Sequence, residues 1–189
     1  MTSTTRDRIV QAMSASIQAR GMNATGLNDI VRDAAAPKGV LYYHFPGGKA
    51  SITVAAIDDS VDRLTGRLER AVERGDDLLD ALALWLERAA LGLRASSFAL
   101  GCPLATVALE TTPDDREIRA ALDRGFVRLR AVIATGLQRE GRSTEDAERM
   151  AFAIVAAYEG GLLQARVSGR VEPMADACRY VLDLMRVRG

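Results

Sequence analysis

Apolar residues recur along almost the whole chain at three- and four-residue intervals, and no stretch alternates convincingly enough to make a sheet. The spacing predicts helices throughout. Ile9, Met13 and Ile17 form one stripe of a first helix running from Ser3 to about Arg20, closed by Gly21 at a C-terminal cap. Leu27, Ile30, Val31 and Ala34 mark a second, short helix whose other face carries Asn28, Asp29, Arg32 and Asp33, with Thr25 placed to accept from its early amides. After Ala35 and Ala36, Pro37 suits a first helical position, and a third helix from Pro37 to His44 turns Val40 and Leu41 inward.

Longer helices follow. A fourth spans Lys49 to about Arg74 on Ile57, Val61, Leu64, Leu68 and Val72, stopping at Gly75; a fifth covers Asp76 to about Arg94 on Leu78, Leu79, Leu82, Trp85, Leu86 and Ala89. A short sixth runs from Cys102 to Leu109. The seventh, Asp114 to Gln138, is given Thr112 as cap and Pro113 at its first position; Thr144 to Val167 and Pro173 to Val187 complete nine helices. There are no internal repeats or low-complexity linkers, and the pattern places a domain boundary within the fourth helix, near residue 50: a small domain of residues 1–50 and a larger one of 51–189.

The third helix is too small and too polar to be core alone. Once Val40 and Leu41 are inside, Lys38, Gly39, Tyr42, Tyr43 and His44 are left outside, and Gly47-Gly48-Lys49 opens the next helix. Amines, phenols and backbone amides projecting from a firm turn are what recognition of duplex DNA requires, and Gly39 lets backbone approach a phosphate closely. Lys49, at a helix entrance, offers its amine beside free backbone N–H groups. Plainer roles stay open: Tyr42 packing its ring under the motif, His44 capping the third helix, Lys49 as an exposed lysine.

Charge supports the division. The chain has 189 residues, 48% hydrophobic and 26% charged, and a net charge of zero, but residues 1–50 hold six Lys or Arg against three acids, whereas the remainder holds nineteen against twenty-two. A basic head therefore precedes a slightly acidic body. Cys102 and Cys178 lie too far apart in sequence for a disulfide framework or a metal site, no apolar run reaches membrane-spanning length, and the N-terminus lacks a signal-peptide core; a cytoplasmic protein is expected, with no metal and no cofactor.

Catalysis is not expected. His44 is the sole histidine, the paired carboxylates Asp58-Asp59, Asp76-Asp77 and Asp114-Asp115 are adjacent and so splay about 100° apart on a helix, and Gly47-Gly48-Lys49 lacks the rest of a phosphate-binding loop.

The segment from Thr25 to Lys49 resembles the DNA-binding motif of the TetR/AcrR family of bacterial transcriptional repressors, through Thr25, Ile30, Ala34, Gly39, Leu41, Tyr42, His44, Phe45 and Lys49. Two departures stand out. Ala35 replaces the usual turn glycine, and Pro46-Gly47-Gly48 is one residue longer than the commonest spacer; that spacer and Gly101-Cys102-Pro103 are similar to the LmrA/YxaF-like subgroup. The resemblance implies an all-α regulator with a three-helix helix-turn-helix head and a larger ligand-binding and dimerisation domain. It further implies a dimer on a palindromic operator in double-stranded DNA, released by a small-molecule effector, and DNA contacts from Thr25, Lys38, Gly39, Tyr42, Tyr43, His44 and Lys49.

For the effector, Trp85, Phe98, Cys102, Leu104, Val107, Phe126, Phe152 and Tyr158 are large or polarizable side chains for a central cavity, with Arg94, Glu159 and Gln164 as polar anchors, and the ligand is expected to be small and largely apolar or aromatic. The plain alternative is that they are core. Residues Ala151 to Leu163 are apolar on more than one face, so the last two helices have surface to spare for a second subunit. By resemblance they build a four-helix interface of a homodimer, at Ala156, Gly160, Leu163, Tyr180 and Leu184; the alternative is that these faces fill a monomer core. Gly160-Gly161 inside a helix indicates a close backbone approach or a bend. Two other functions fit the same residues: a redox sensor using Cys102 near a helix start, and a helical interaction protein that does not bind DNA.

Overall fold

The computed structural model describes residues 4–187, with the side chains of 4–186. Ser3, where the periodicity starts the first helix, and the side chain of Val187 lie outside the described residues. Among the described residues there are nine α-helices and no strand: α1 Thr5–Arg20, α2 Leu27–Asp33, α3 Lys38–His44, α4 Gly48–Arg74, α5 Leu78–Ala95, α6 Pro103–Glu110, α7 Arg116–Arg139, α8 Thr144–Ser168 and α9 Glu172–Val187. The all-α expectation holds. Most ends fall within two residues of the apolar pattern, because the caps are local: Thr4 and Asp7 form a capping box on α1, Asp77 accepts from the Asp80 amide, and Ser143 accepts from that of Asp146.

Two caps differ from expectation. Thr112 does not cap α7; its amide and hydroxyl both donate to the Asp115 carboxylate, at 2.8 and 2.9 Å, closing a turn that delays the helix to Arg116. Those two bonds hold the Asp115 carboxyl below the usual aspartate range. Thr25 does not cap α2 either, since Gly26 occupies the N-cap without a side-chain bond.

The chain forms two compact units. One comprises the residues up to Asp62 together with Cys102–Gly125; the other comprises Arg63–Gly101 and the residues from Phe126 onward. The first unit therefore reaches past residue 50 along α4 and takes in α6 and the start of α7. Ile9, Met13, Ile17, Ile30, Leu41, Ile52, Ile57 and Leu104 are fully buried in it. Gly125 belongs there for a steric reason, because a Cβ at that position would sit 2.8 Å from Val61 Cγ2.

In the second unit α8 and α9 pack side by side, with α5 against α9. At Gly161 of α8 an added Cβ would lie 2.7 Å from Met174 Cα and 3.1 Å from the Pro173 carbonyl oxygen. The glycine pair thus marks a close backbone approach, made by Gly161 alone, since a Cβ at Gly160 meets nothing within 4 Å. Glu140, the residue after α7, accepts from the Leu78 amide at the start of α5 at 2.5 Å.

Candidate DNA-reading element

Burial of three side chains sets α3 in place. Leu41 and Phe45 anchor it from below, Ile30 anchors α2, and Ala34 and Ala36 are small enough to be enclosed in the turn between them. The turn is a Schellman arrangement: the Ala35 amide donates to the Arg32 carbonyl and the Ala36 amide to that of Val31, both at 3.0 Å. Such a turn needs a left-handed residue after the helix. Ala35 supplies it at φ 46°, where its Cβ crowds the following carbonyl. Replacing it with glycine should raise stability by about 1 kcal/mol, read as a higher urea midpoint at unchanged slope. An unchanged or lower midpoint would mean that the turn relaxes around alanine.

Pro37 is the N-cap of α3, one residue earlier than the first helical position expected for it, and no side chain caps that end. Lys38 and Gly39 are exposed there, with open space around Gly39. Tyr43 is 82% exposed, Tyr42 about half, and His44 is half-buried with its ring 5.1 Å from that of Tyr43 in an edge-on contact. Tyr42 also borders the α3–α4 turn, where a Cβ on Gly48 would meet its ring at 3.9 Å. Lys38, Gly39, Tyr42 and Tyr43 therefore share one solvent-facing surface, opposite Leu41 and Phe45.

Two residues of the expected set stand apart from that surface. Thr25 is only 2% exposed; it donates its hydroxyl to the Gly21 carbonyl at 2.7 Å, with Ser16 Oγ at 2.9 Å, and so stabilises the α1–α2 loop. Lys49 sits at the start of α4 as expected, but its amine donates to the Asn23 carbonyl at 3.3 Å. The Asn23 amide in turn donates to the Glu110 carboxylate at 2.9 Å.

The residues expected to line an effector cavity are dispersed. Trp85 of α5 and Tyr158 of α8 are brought together, with ring centroids 4.5 Å apart. Phe126 and Glu159 are half-buried in the same unit, as is Phe98, which follows α5 at φ 63°, while Arg94 and Gln164 are exposed. Cys102, Leu104 and Val107 belong to the first unit and are buried there, Cys102 as the N-cap of α6. Phe152 points outward, 62% exposed, with the Arg130 guanidinium 5.7 Å from its ring centroid. Cys178 is fully buried, and desolvation pushes its thiol up to about 11.

Ala156 and Gly160 are exposed on α8, as is Leu163 at 53%, and on α9 Tyr180 is 67% exposed beside exposed Leu184. Phe152 and Val167 extend the α8 row at both ends, making one stripe of 152, 156, 160, 163 and 167. The period was present in the sequence.

Two short helices joined by a fixed turn, the second displaying a polar and aromatic surface, have the form of a helix-turn-helix, the element by which one class of transcription regulators binds DNA. Residues 9–56 match the family model for bacterial regulatory proteins of the tetR family, and residues 79–180 match the C-terminal domain of LmrA/YxaF-like transcriptional regulators. The chain belongs to the TetR family. It is 26% identical to the HTH-type transcriptional regulator LmrA of Bacillus subtilis, with 96% of each chain covered. It is 27% identical to the uncharacterized regulator YxaF of the same organism, over 97% of this chain and 96% of the other. A crystal structure of a TetR regulator from Legionella pneumophila superposes with a TM-score of 0.82 at 25% identity, covering 97% of this chain and 98% of that one. Among the described residues no helix is long and apolar enough to cross a membrane, and no three His, Cys, Asp or Glu side chains gather as a metal site.

Proposed function

We propose that this protein is a homodimeric repressor that occupies a palindromic operator and leaves it when a small, largely apolar or aromatic molecule binds the C-terminal part of the chain. The observation that carries the DNA-binding half is the exposed surface of α3, where Lys38, Gly39, Tyr42 and Tyr43 stand free while Leu41 and Phe45 anchor the helix from beneath. Lys38 and the first amides of α3 serve phosphates, Tyr42 and Tyr43 reach phosphate or base edges in the major groove, and His44 adds a donor at the helix end. Lys49 exchanges its carbonyl partner for a phosphate.

In this reading residues 1–50 bind DNA and residues 51–189 bind the effector and the second subunit. The open stripe on α8 and α9 supports a twofold interface, and two reading helices one helical turn apart then require a palindrome. The Trp85–Tyr158 pair supports an aromatic ligand, and as the chain has a single tryptophan, ligand binding beside it would be read as a change in its fluorescence.

Footprinting on the chain's own upstream region tests the proposal, with two protected half-sites expected. Tyr43→Ala should cost about 1 to 3 kcal/mol of operator affinity, and leave the melting temperature unchanged because the ring makes little contact inside the protein. Loss of the folded protein in this variant would assign Tyr43 to packing. Absence of any sequence-selective protection by the wild type would remove the operator reading.

A further inference from the structure

Arg8 lies on α1, outside the surface described above, yet it makes a specific contact with the reading element. Its Nε–H donates to the Ala34 carbonyl at 3.0 Å, while Nη2 is steadied by the Thr5 hydroxyl at 3.3 Å. Ala34 is the C-cap of α2. The Schellman bonds from Ala35 and Ala36 use the carbonyls of Arg32 and Val31, and the Ala34 amide uses that of Ile30, so none of them reaches the Ala34 oxygen. That oxygen sits at the negative end of a helix and one residue before the strained Ala35. A guanidinium half-buried against it satisfies the carbonyl and opposes the helix dipole at the same time.

We infer that Arg8 is a positioning residue for operator recognition, a clamp from α1 that fixes the α2–α3 turn and through it the angle at which α3 meets the groove. The inference rests on the operator reading proposed above. The side chain acts through geometry and not as a phosphate ligand. The turn depends on such a clamp because its left-handed position is filled by alanine, whose own preference opposes the conformation. Lysine at position 8 cannot reproduce the contact, since its amine stands at the end of a longer, freer stem than the guanidinium Nε.

The experiment compares Arg8→Gln and Arg8→Lys, each alone and with Ala35→Gly, on the operator found by footprinting and on random duplex across a range of salt. Ala35→Gly keeps the turn populated where the single variants lose the fold. Both Arg8 substitutions should weaken operator binding roughly tenfold per half-site, the size of one charge-assisted hydrogen bond, with random-duplex affinity and salt slope unchanged. Ala35→Gly should restore part of the loss, and amide exchange at Ala35 and Ala36 should quicken in the single variants. A salt slope lowered by about one in Arg8→Gln but kept in Arg8→Lys would make Arg8 a phosphate contact and overturn the inference. So would operator affinity unchanged in both. A wild-type protein that selects no duplex fails at the first control and overturns the operator reading itself, which separates that result from a failure of the clamp.

Discussion

Leu163→Glu should leave the chain monomeric in sedimentation and lower operator affinity by about a hundredfold or more. Leu163 lies within the α8 stripe and is 53% exposed, so a carboxylate there can reach water in the single chain. In a twofold dimer the same position lies near its own copy, which would bring two carboxylates together in an apolar seam formed by Phe152, Ala156, Gly160, Val167, Tyr180 and Leu184. Unpaired buried charge costs about 3 to 5 kcal/mol, enough to dissociate an ordinary dimer at micromolar concentration. The loss of DNA affinity follows from separating the two heads, because a linked second contact contributes roughly 10²- to 10⁴-fold. Helical content and monomer melting should stay near wild type. A variant that still sediments as a dimer would place the interface elsewhere and leave the stripe a solvent-facing apolar row.

The second large effect is expected from the adjacent glycines of α8. Gly161→Ala should destabilise the chain by about 1 to 3 kcal/mol, although alanine is the better helix former by about 1 kcal/mol. The added Cβ would lie 2.7 Å from Met174 Cα, and backbone cannot step aside as the end of a flexible side chain can. The α8–α9 pair would have to part. Gly160→Ala has open space in the single chain and should stabilise it by about 1 kcal/mol while weakening the proposed dimer, in which that surface would face the second subunit. Urea unfolding at several protein concentrations separates the two, since the apparent stability of a dimer rises with concentration. A gain in stability from Gly161→Ala would show that the helices relax apart at little cost.

Much of the molecule was legible before any coordinates. Every long helix has its stripe in the sequence, and most observed ends fall within two residues of it. The exposed surface of α3 was legible for the same reason: with only two turns, placing Val40 and Leu41 inside leaves a single place for Lys38, Gly39, Tyr42 and Tyr43. The strain at Ala35 could be anticipated from its place in the turn, though its φ could not.

What failed to be legible depends on residues distant in sequence. Thr25 stands where a cap would stand, yet Gly21 and Ser16 claim its hydroxyl because α1 and its following loop fold back beside it. Cys102, Leu104 and Val107 have the apolar character of a cavity wall, but α6 joins the N-terminal helices and buries them in that unit. Phe152 is aromatic and mid-helix like Tyr158, but the packing of α8 leaves Phe152 exposed and buries Tyr158 against Trp85. Arg8 has nothing in its neighbourhood along the chain to mark it, because its partner is a backbone carbonyl 26 residues away. The sequence by itself determined the helices, their stripes and the exposed surface of α3, since these follow from a period and from neighbours within four residues. The tertiary structure alone decided which stripe is covered by which neighbour, because apolar burial carries no direction along the chain and the same period serves a core, a cavity and an open face.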